Sequence, residues 1–207
     1  MDSLLLTSRQ ISGTPSILAV VCDGVGSMVD GAYASMESVR LLNEWFLRME
    51  GAEWAGLRLR DTILSINTII TAYAAGKGMK TATTLSALLL IGRQYYIVHA
   101  GDSRVYSVES SGLLPLTIDD VTETGRLTSV IGRRHNPEIY YREGVANNAA
   151  FLLCSDGLNK RVDDKTLFMN IDIGNRKTLR KSLSTLSSLA IQRGESDNIS
   201  IALVKIV

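Results

Sequence analysis

The sequence contains little of what would indicate a disulfide-stabilised, membrane-bound or nucleic-acid-binding protein. It has only two cysteines, Cys22 and Cys154, and both stand in apolar runs that predict buried strands. We therefore expect reduced core thiols and a cytoplasmic location. Its 22 basic and 21 acidic residues leave a formal net charge of +1, so nothing in the charge favours nucleic acid or an anionic membrane surface as a partner.

Long apolar stretches and internal repeats are also lacking. No apolar run reaches the length of a membrane span, and no basic segment followed by an apolar one opens the chain, so we expect neither an anchor nor a leader. The 207 residues fit a single domain over 1–207 with a substantial core. We expect a monomer or weak dimer that binds neither nucleic acid nor a membrane.

The sequence does have aspartates at the ends of three strand-like runs. An Asp-Gly pair after one strand is most often a simple turn. Three carboxylates at one sheet edge, however, would be too costly to bury unless a cation neutralised them, and a hard divalent ion suits oxygen ligands. The aspartates are Asp23 after Leu18–Cys22, Asp156 after Phe151–Cys154, and Asp197 before Ile199–Val204.

The hydrophobic periodicity predicts a mixed α and β chain in which the strands between Thr83 and Val108 form an antiparallel meander, unlike a Rossmann sheet. The predicted helices are Gly31–Met49, Leu57–Ala75, a short one within Thr122–Ile131, Asp163–Met169 and Thr178–Arg193. The predicted strands are Ser3–Ile11, Leu18–Cys22, Thr83–Ile91, Gln94–Ala100, Arg104–Val108, Tyr140–Val145, Phe151–Cys154 and Ile199–Val204.

Four short blocks, in this order from residue 18 to the end of the chain, resemble the motifs of the metal-dependent protein phosphatases of the 2C superfamily. The stretch Leu127–Gly132 is similar to a further family segment. The blocks are Asp23-Gly24-Val25-Gly26-Ser27, Thr83-Thr84-Leu85 with Val98–Tyr106, Leu152–Leu158, and Asp197-Asn198-Ile199.

The resemblance implies an α+β fold, with an antiparallel β-sandwich of two sheets flanked by α-helices. It also implies two Mn²⁺ or Mg²⁺ ions at one end of the sandwich. Asp23 would bridge both ions, the Gly24 carbonyl would bind one of them, and Asp156 and Asp197 would hold the other. By the same resemblance, Asp102 would help to bind a weaker third ion.

The implied activity is a serine/threonine protein phosphatase whose substrate is a phosphorylated protein. Water activated by the two ions would attack the phosphorus of phosphoserine or phosphothreonine, with Asp23, Asp156 and Asp197 as the catalytic carboxylates. No Cys-x₅-Arg loop is present, so the cysteine-phosphatase mechanism is not expected.

The N-terminal segment departs from the family pattern, which has a phosphate-binding arginine followed by acidic residues. We place Arg9 as the phosphate-binding arginine and find Thr14 where an acid is expected. Asp2 is the only acidic residue before Asp23. Ser12-Gly13 and Gly26-Ser27 resemble the stage II sporulation E branch of the superfamily, whereas the turn from His99 to Arg104 resembles the 2C branch, so the branch stays open.

The missing acid keeps a second hypothesis open, in which the protein is a degenerate phosphatase that acts as a regulatory or phosphoprotein-binding module. Manganese-dependent hydrolysis of p-nitrophenyl phosphate would separate the two hypotheses. Outside the blocks, we expect His99 to be a hydrogen-bonded core histidine and Arg104 to pair with a nearby carboxylate.

Overall fold

Two antiparallel sheets pack face to face with helices on both outer surfaces in the computed structural model, which describes residues 1–26, 28–146 and 150–206. The expected α+β sandwich is confirmed. Ser27, the last residue of the first sequence block, lies outside the described residues. Within the described ranges, no helix is both long enough and apolar enough to span a membrane.

The first sheet has five strands in the order β1-β2-β3-β4-β7, and the second has four in the order β6-β5-β8-β9. The strands are β1 Asp2–Ile11, β2 Thr14–Asp23, β3 Leu85–Ile91, β4 Gln94–Ala100, β5 Arg104–Glu109, β6 Gly112–Pro115, β7 Tyr140–Val145, β8 Ala150–Cys154 and β9 Ile201–Lys205. The helices are α1 Gly31–Leu47, α2 Ala55–Gly76, α3 Asp156–Asn159, α4 Asp164–Met169 and α5 Arg176–Gln192.

Strand β2 runs through the middle of the molecule, and both of its faces are buried. Leu18 and Val20 point into the core beneath the first pair of helices, while Ala19 and Val21 point into the core between the sheets. Because side chains alternate along a strand, a strand buried on both faces reads as a continuous apolar run. This run ends at Asp23, which therefore lies at the edge of the sandwich.

The helices cover the outer faces of the two sheets through the apolar stripes that their periodicity predicts. Leu42 and Phe46 of α1 and Ile63 and Ile70 of α2 are fully buried against the first sheet. Leu186 of α5 is buried in the core against the second sheet. The two helical layers bury the outer apolar faces of the sheets and leave the strand ends free to carry polar groups.

The predicted meander is wrong beyond β4, because β4 and β5 belong to different sheets. The crossing is made at Gly101-Asp102-Ser103. Gly101 has a φ of +116°, and a Cβ on it would lie 2.6 Å from the Cβ of Thr84, so no other residue fits without strain. The crossing places Asp102 at the same end of the sandwich as Asp23.

The short helix predicted within Thr122–Ile131 does not form. Val121 pairs with Leu127, and the Thr122 N–H donates to the Arg126 carbonyl oxygen at 2.8 Å, so the chain makes a small hairpin instead. Gly125, with a φ of +76°, sits in its turn. The weak helical preference of this segment is overridden by tertiary pairing, which is a common outcome for short stretches.

Candidate metal-dependent active site

Asp23 is the central carboxylate of the site, and the hairpin of β1 and β2 places Asp2 directly opposite it. Residues opposite each other in an antiparallel pair have neighbouring side chains. Burial, followed by the charges of Asp2 and Asp156, raises the pKa of Asp23 to about 9. Both carboxylate oxygens of Asp2 are buried without a hydrogen-bond partner.

Two further carboxylates approach Asp23 from the second sheet. Asp102 lies in the crossing between β4 and β5, and its pKa is raised to about 6 by burial and then by the charge of Asp156. Asp156 is the first residue of α3, directly after β8. The ammonium of Lys160, one turn later, forms an ion pair with Asp156.

Asp197 reaches the site because the segment before β9 packs closely on the start of α3. A Cβ on Gly157 would collide with the Asn198 carbonyl oxygen, so glycine is needed for this approach. The Ser155 N–H donates to the Ser200 carbonyl oxygen, and the Ser200 N–H donates to the Ser155 hydroxyl, both at 3.0 Å. Asp197 itself is exposed.

Thr84 fixes the positions of both Asp23 and the Asp102 turn. Its hydroxyl accepts from the Asp23 N–H at 3.0 Å and lies 2.8 Å from the Ser103 hydroxyl. Its own N–H donates to the Asp23 carbonyl oxygen at 2.8 Å, and the Thr83 hydroxyl donates to the same oxygen at 2.9 Å. A single threonine thus ties together two aspartates from different sheets.

His99 and Arg104 support this framework. His99 is fully buried, and burial lowers its pKa, so the ring is neutral. Its Nε2 donates to the Ile118 carbonyl oxygen at 3.0 Å, and Nδ1 lies 2.9 Å from the Ser86 hydroxyl. Arg104 makes a bidentate pair with Asp119, at 2.8 Å for each bond. The structure confirms both sequence predictions.

The carboxylates line one open cleft of about 1120 Å³ at the end of the sandwich. The structure therefore brings together the residues that the sequence blocks single out as metal ligands, and their role as ligands stays a prediction. They are Asp23, Gly24, Asp102, Asp156 and Asp197.

Comparison with known proteins agrees with this arrangement. The model of the protein phosphatase 2C family matches residues 2–189, which is most of the chain. The chain belongs to the protein phosphatase 2C family. The match begins at Asp2, so it includes the carboxylate that faces Asp23.

Two bacterial relatives show how far the similarity extends. The serine/threonine phosphatase Stp of Listeria monocytogenes is 30% identical over 215 residues, covering 91% of this chain and 84% of that protein. The serine/threonine protein phosphatase PstP of Mycobacterium tuberculosis is 27% identical and covers 92% of this chain. This chain spans only 40% of the length of that mycobacterial protein.

Solved structures share the whole fold. The serine/threonine phosphatase Stp1 from Staphylococcus aureus superimposes with a TM-score of 0.89 at 23% identity, over 100% of this chain and 89% of that one. The catalytic domain of PstP in complex with two manganese ions superimposes with a TM-score of 0.82 at 24% identity, over 100% and 98% of the two chains. At these identities the likeness shows the fold.

The prediction that Arg9 binds substrate phosphate is wrong. Its guanidinium donates to the Leu47 and Phe46 carbonyl oxygens at the end of α1. Arg9 therefore provides hydrogen bonds to carbonyl groups that have no partner within the helix. Arg9 pairs with Ser16, seven residues along β1 from Asp2, which puts it about 23 Å from the carboxylates at 3.3 Å per residue.

The expectation of a missing acid at Thr14 is also wrong, because Thr14 lies at the opposite end of the hairpin, paired with Ile11. The acidic residue that lies beside Asp23 is Asp2. The sequence prediction places the N-terminal motif too close to the turn, although the sequence itself allows the correct position to be found. Counting outwards by equal steps on both strands from the turn at Ser12-Gly13 sets Asp2 against Asp23.

The residues present fit divalent metal ions, since every ligand candidate is a hard oxygen donor and the buried oxygens of Asp2 have no partner in the protein. Among residues 1–26, 28–146 and 150–206, no group of three His, Cys, Asp or Glu side chains could hold an ion as it stands. The carboxylates of the cleft make contacts within the protein. Lys160 forms an ion pair with Asp156, and Asp197 accepts from the Asn198 N–H, so each of these carboxylates already has a partner within the protein.

Proposed function

We propose that this protein is a metal-dependent serine/threonine protein phosphatase that acts on phosphoserine and phosphothreonine in proteins with Mn²⁺ or Mg²⁺. The main support for the proposal is that aspartates from both sheets line one cleft, and that Asp2 lies opposite Asp23 on the neighbouring strand. The names of the bacterial relatives and the two manganese ions of the PstP structure support it.

The proposed ligands are carried by four different segments of the chain. Asp23, the Gly24 carbonyl, Asp156 and Asp197 would hold two ions, with Asp23 shared between them. Asp102 would help to hold a weaker third ion, and Asp2, opposite Asp23 in the hairpin, would hold the Asp23 side chain in place. When bound, such ions supply an acidified water for attack on phosphorus and neutralise charge on the phosphoryl oxygens.

The protein itself positions the carboxylates and provides a positive charge for the phosphoryl group. Thr84 holds the backbone of Asp23, so this carboxylate stays aimed at the cleft whether or not its side chain is ionised. With Arg9 remote, another cation must attract the phosphoryl group. Lys160 is placed for this role, since it lines the cleft and already contacts Asp156.

The alternative of a degenerate regulatory module loses its main support, because it depended on a missing N-terminal acid. We assign that place to Asp2, which lies opposite Asp23. We further infer a single domain over residues 1–207 that works in cytoplasmic signalling as a monomer or weak dimer, with no nucleic-acid or membrane partner. The buried free cysteines and the near-neutral charge support this setting.

The decisive experiment measures hydrolysis of p-nitrophenyl phosphate and of a phosphothreonine peptide with and without Mn²⁺. We expect activity that requires the metal and is abolished in Asp23→Asn, while Thr14→Asn behaves as the wild type. Metal-independent hydrolysis, or full activity in Asp23→Asn, would contradict the proposal.

A further inference from the structure

A cluster of basic residues lines the same cleft as the carboxylates. We call it the basic wall and define it as Lys80, Arg126, Arg133 and Arg134. In the described part of the chain, none of the four forms an ion pair with a carboxylate. Glu138 also lines the cleft, which leaves the wall with an excess of positive charge.

The backbone that carries Arg133 and Arg134 is held rigidly. Asn67 of α2 is fully buried, and its amide donates to the carbonyl oxygens of Arg134 at 2.8 Å and His135 at 3.1 Å. Its side-chain oxygen accepts from the Gly132 N–H at 2.8 Å. A buried asparagine with all three bonds made locks this segment to the helix.

Arg126 is brought to the same wall by Arg133. The Arg133 guanidinium donates to the Leu127 carbonyl oxygen at 3.1 Å and to the Thr128 carbonyl oxygen at 2.6 Å, which ties down the hairpin that carries Arg126. The pKa of Arg133 is lowered by burial and then by the charges of Arg134 and Arg126. The three arginines thus line one cleft and are near enough for the positive charges of Arg126 and Arg134 to act on Arg133.

Strand pairing gives the backbone separation between the metal site at Gly24 and the start of the segment that carries Arg133 and Arg134. Gly24 pairs with Thr83, and Thr83 pairs with Ile131, just before the two arginines. Two strand spacings amount to about 10 Å. An extended peptide advances about 3.3 Å per residue, so this span corresponds to about three residues of a bound substrate.

We propose that the basic wall binds a second anionic group of the substrate, an acidic side chain or a second phosphorylated residue, about two to four residues from the phosphoresidue that is hydrolysed. This inference rests on the proposed phosphatase function. It means that the preferred substrate of the protein is an acidic phosphopeptide. Arginine suits the task because its guanidinium binds carboxylates and phosphates through paired hydrogen bonds.

The test uses phosphothreonine peptides that differ only in the flanking residues two to four positions away on both sides, which are Glu, Gln or Lys. The measured quantity is the ratio of kcat/KM for the Glu peptide to that for the Gln peptide, in Mn²⁺ at low salt. We expect a ratio of about three to thirty, as for two or three partly exposed ion pairs, and a lower kcat/KM for the Lys peptide.

The double variant Arg126→Ala, Arg134→Ala should bring this ratio close to one. Arg133 is left intact because it braces the hairpin. Arg180→Ala, which removes an exposed arginine of α5, is the matched control and should keep the wild-type ratio. Because the ratio compares two substrates on one enzyme, a general loss of activity does not change it.

Failure of this inference can be told apart from failure of the proposed function. Absence of Mn²⁺-dependent hydrolysis of p-nitrophenyl phosphate would overturn the phosphatase itself. A wild-type ratio near one, or an unchanged ratio in the double variant, would overturn the basic wall. Fluorescence anisotropy with labelled peptides, in the Asp23→Asn background, measures the same preference without turnover.

Discussion

Asp23 is a buried carboxyl group flanked by two others, and its protonation must therefore affect stability when no metal is bound. Its pKa is near 3.8 in an unfolded chain and is raised to about 9 in the fold by burial and the charges of Asp2 and Asp156. The folded state thus holds a proton that the unfolded state has released. Stability should fall as pH rises from about 4 to about 9.

Asp23→Asn removes this ionisation, so the metal-free variant should be more stable than the wild type at pH 9 by several kcal/mol. At pH 4 the two proteins should be nearly equal. Urea unfolding in chelator at pH 4, 7 and 9 measures the difference. A constant difference at all three pH values would show that Asp23 does not titrate in this range.

The ammonium group of Lys160 forms an ion pair with Asp156, a proposed metal ligand. It should therefore compete with the metal ion for this carboxylate. Lys160→Met should lower the Mn²⁺ concentration for half-saturation about threefold, as expected for removing a partly exposed like charge. It should also raise KM for p-nitrophenyl phosphate, if the ammonium helps to hold the phosphoryl group.

Isothermal titration calorimetry with Mn²⁺ measures the first effect without any turnover. Lys165→Met, an exposed lysine on α4, is the control and should bind metal as the wild type does. Weaker Mn²⁺ binding in Lys160→Met would mean that the lysine supports the site rather than competing with the ion.

At the scale of the elements, the crossing between β4 and β5 decides where Asp102 lies. Gly101→Ala would put a residue with a side chain in the left-handed backbone region. Its Cβ would also lie 2.6 Å from the Thr84 Cβ. We expect a loss of roughly 2–5 kcal/mol in the free energy of unfolding, from backbone strain and overpacking together. Because Thr84 also holds Asp23, metal affinity should fall as well.

Denaturant unfolding and calorimetry measure these two losses. Gly76→Ala is the matched control, since a Cβ there would have no heavy atom within 4 Å. It should change stability by less than about 1 kcal/mol. Equal stability of Gly101→Ala and Gly76→Ala would show that the crossing tolerates a side chain.

At the scale of the whole molecule, metal binding should stabilise the sandwich, because the carboxylates come from both sheets and meet only in the folded state. At one hundred times the dissociation constant, one ion adds about 2.7 kcal/mol. For a chain of this size that corresponds to an increase in Tm of about 5–10 °C. Thermal unfolding with and without Mn²⁺ measures it.

Two variants show which N-terminal residue takes part in this stabilisation. Asp2→Asn should reduce the Mn²⁺-induced increase in Tm, since it removes the carboxyl group opposite Asp23. Thr14→Asp should leave the increase unchanged, since Thr14 lies at the far end of the hairpin. The reverse pattern would contradict the placement of Asp2 in the site.

The sequence alone determined most of the local structure and the identity of the carboxylates. Alternation and turn residues predicted β4 and the helix stripes, because side-chain periodicity depends only on the chain itself. The positions of Asp23, Asp156 and Asp197 beside strand ends, together with the family resemblance that added Asp102, predicted which aspartates line the cleft.

Only the tertiary structure decided which sheet each strand joins and which distant residues complete the site. Strand pairing depends on contacts between segments far apart in sequence, so the crossing at Gly101 could not be read from periodicity. The same is true of the hairpin at 121–127, which formed where a helix was expected. The register of the hairpin sets the position of every residue on β1 and β2. It places Asp2 beside Asp23 in the site and Arg9 far from it.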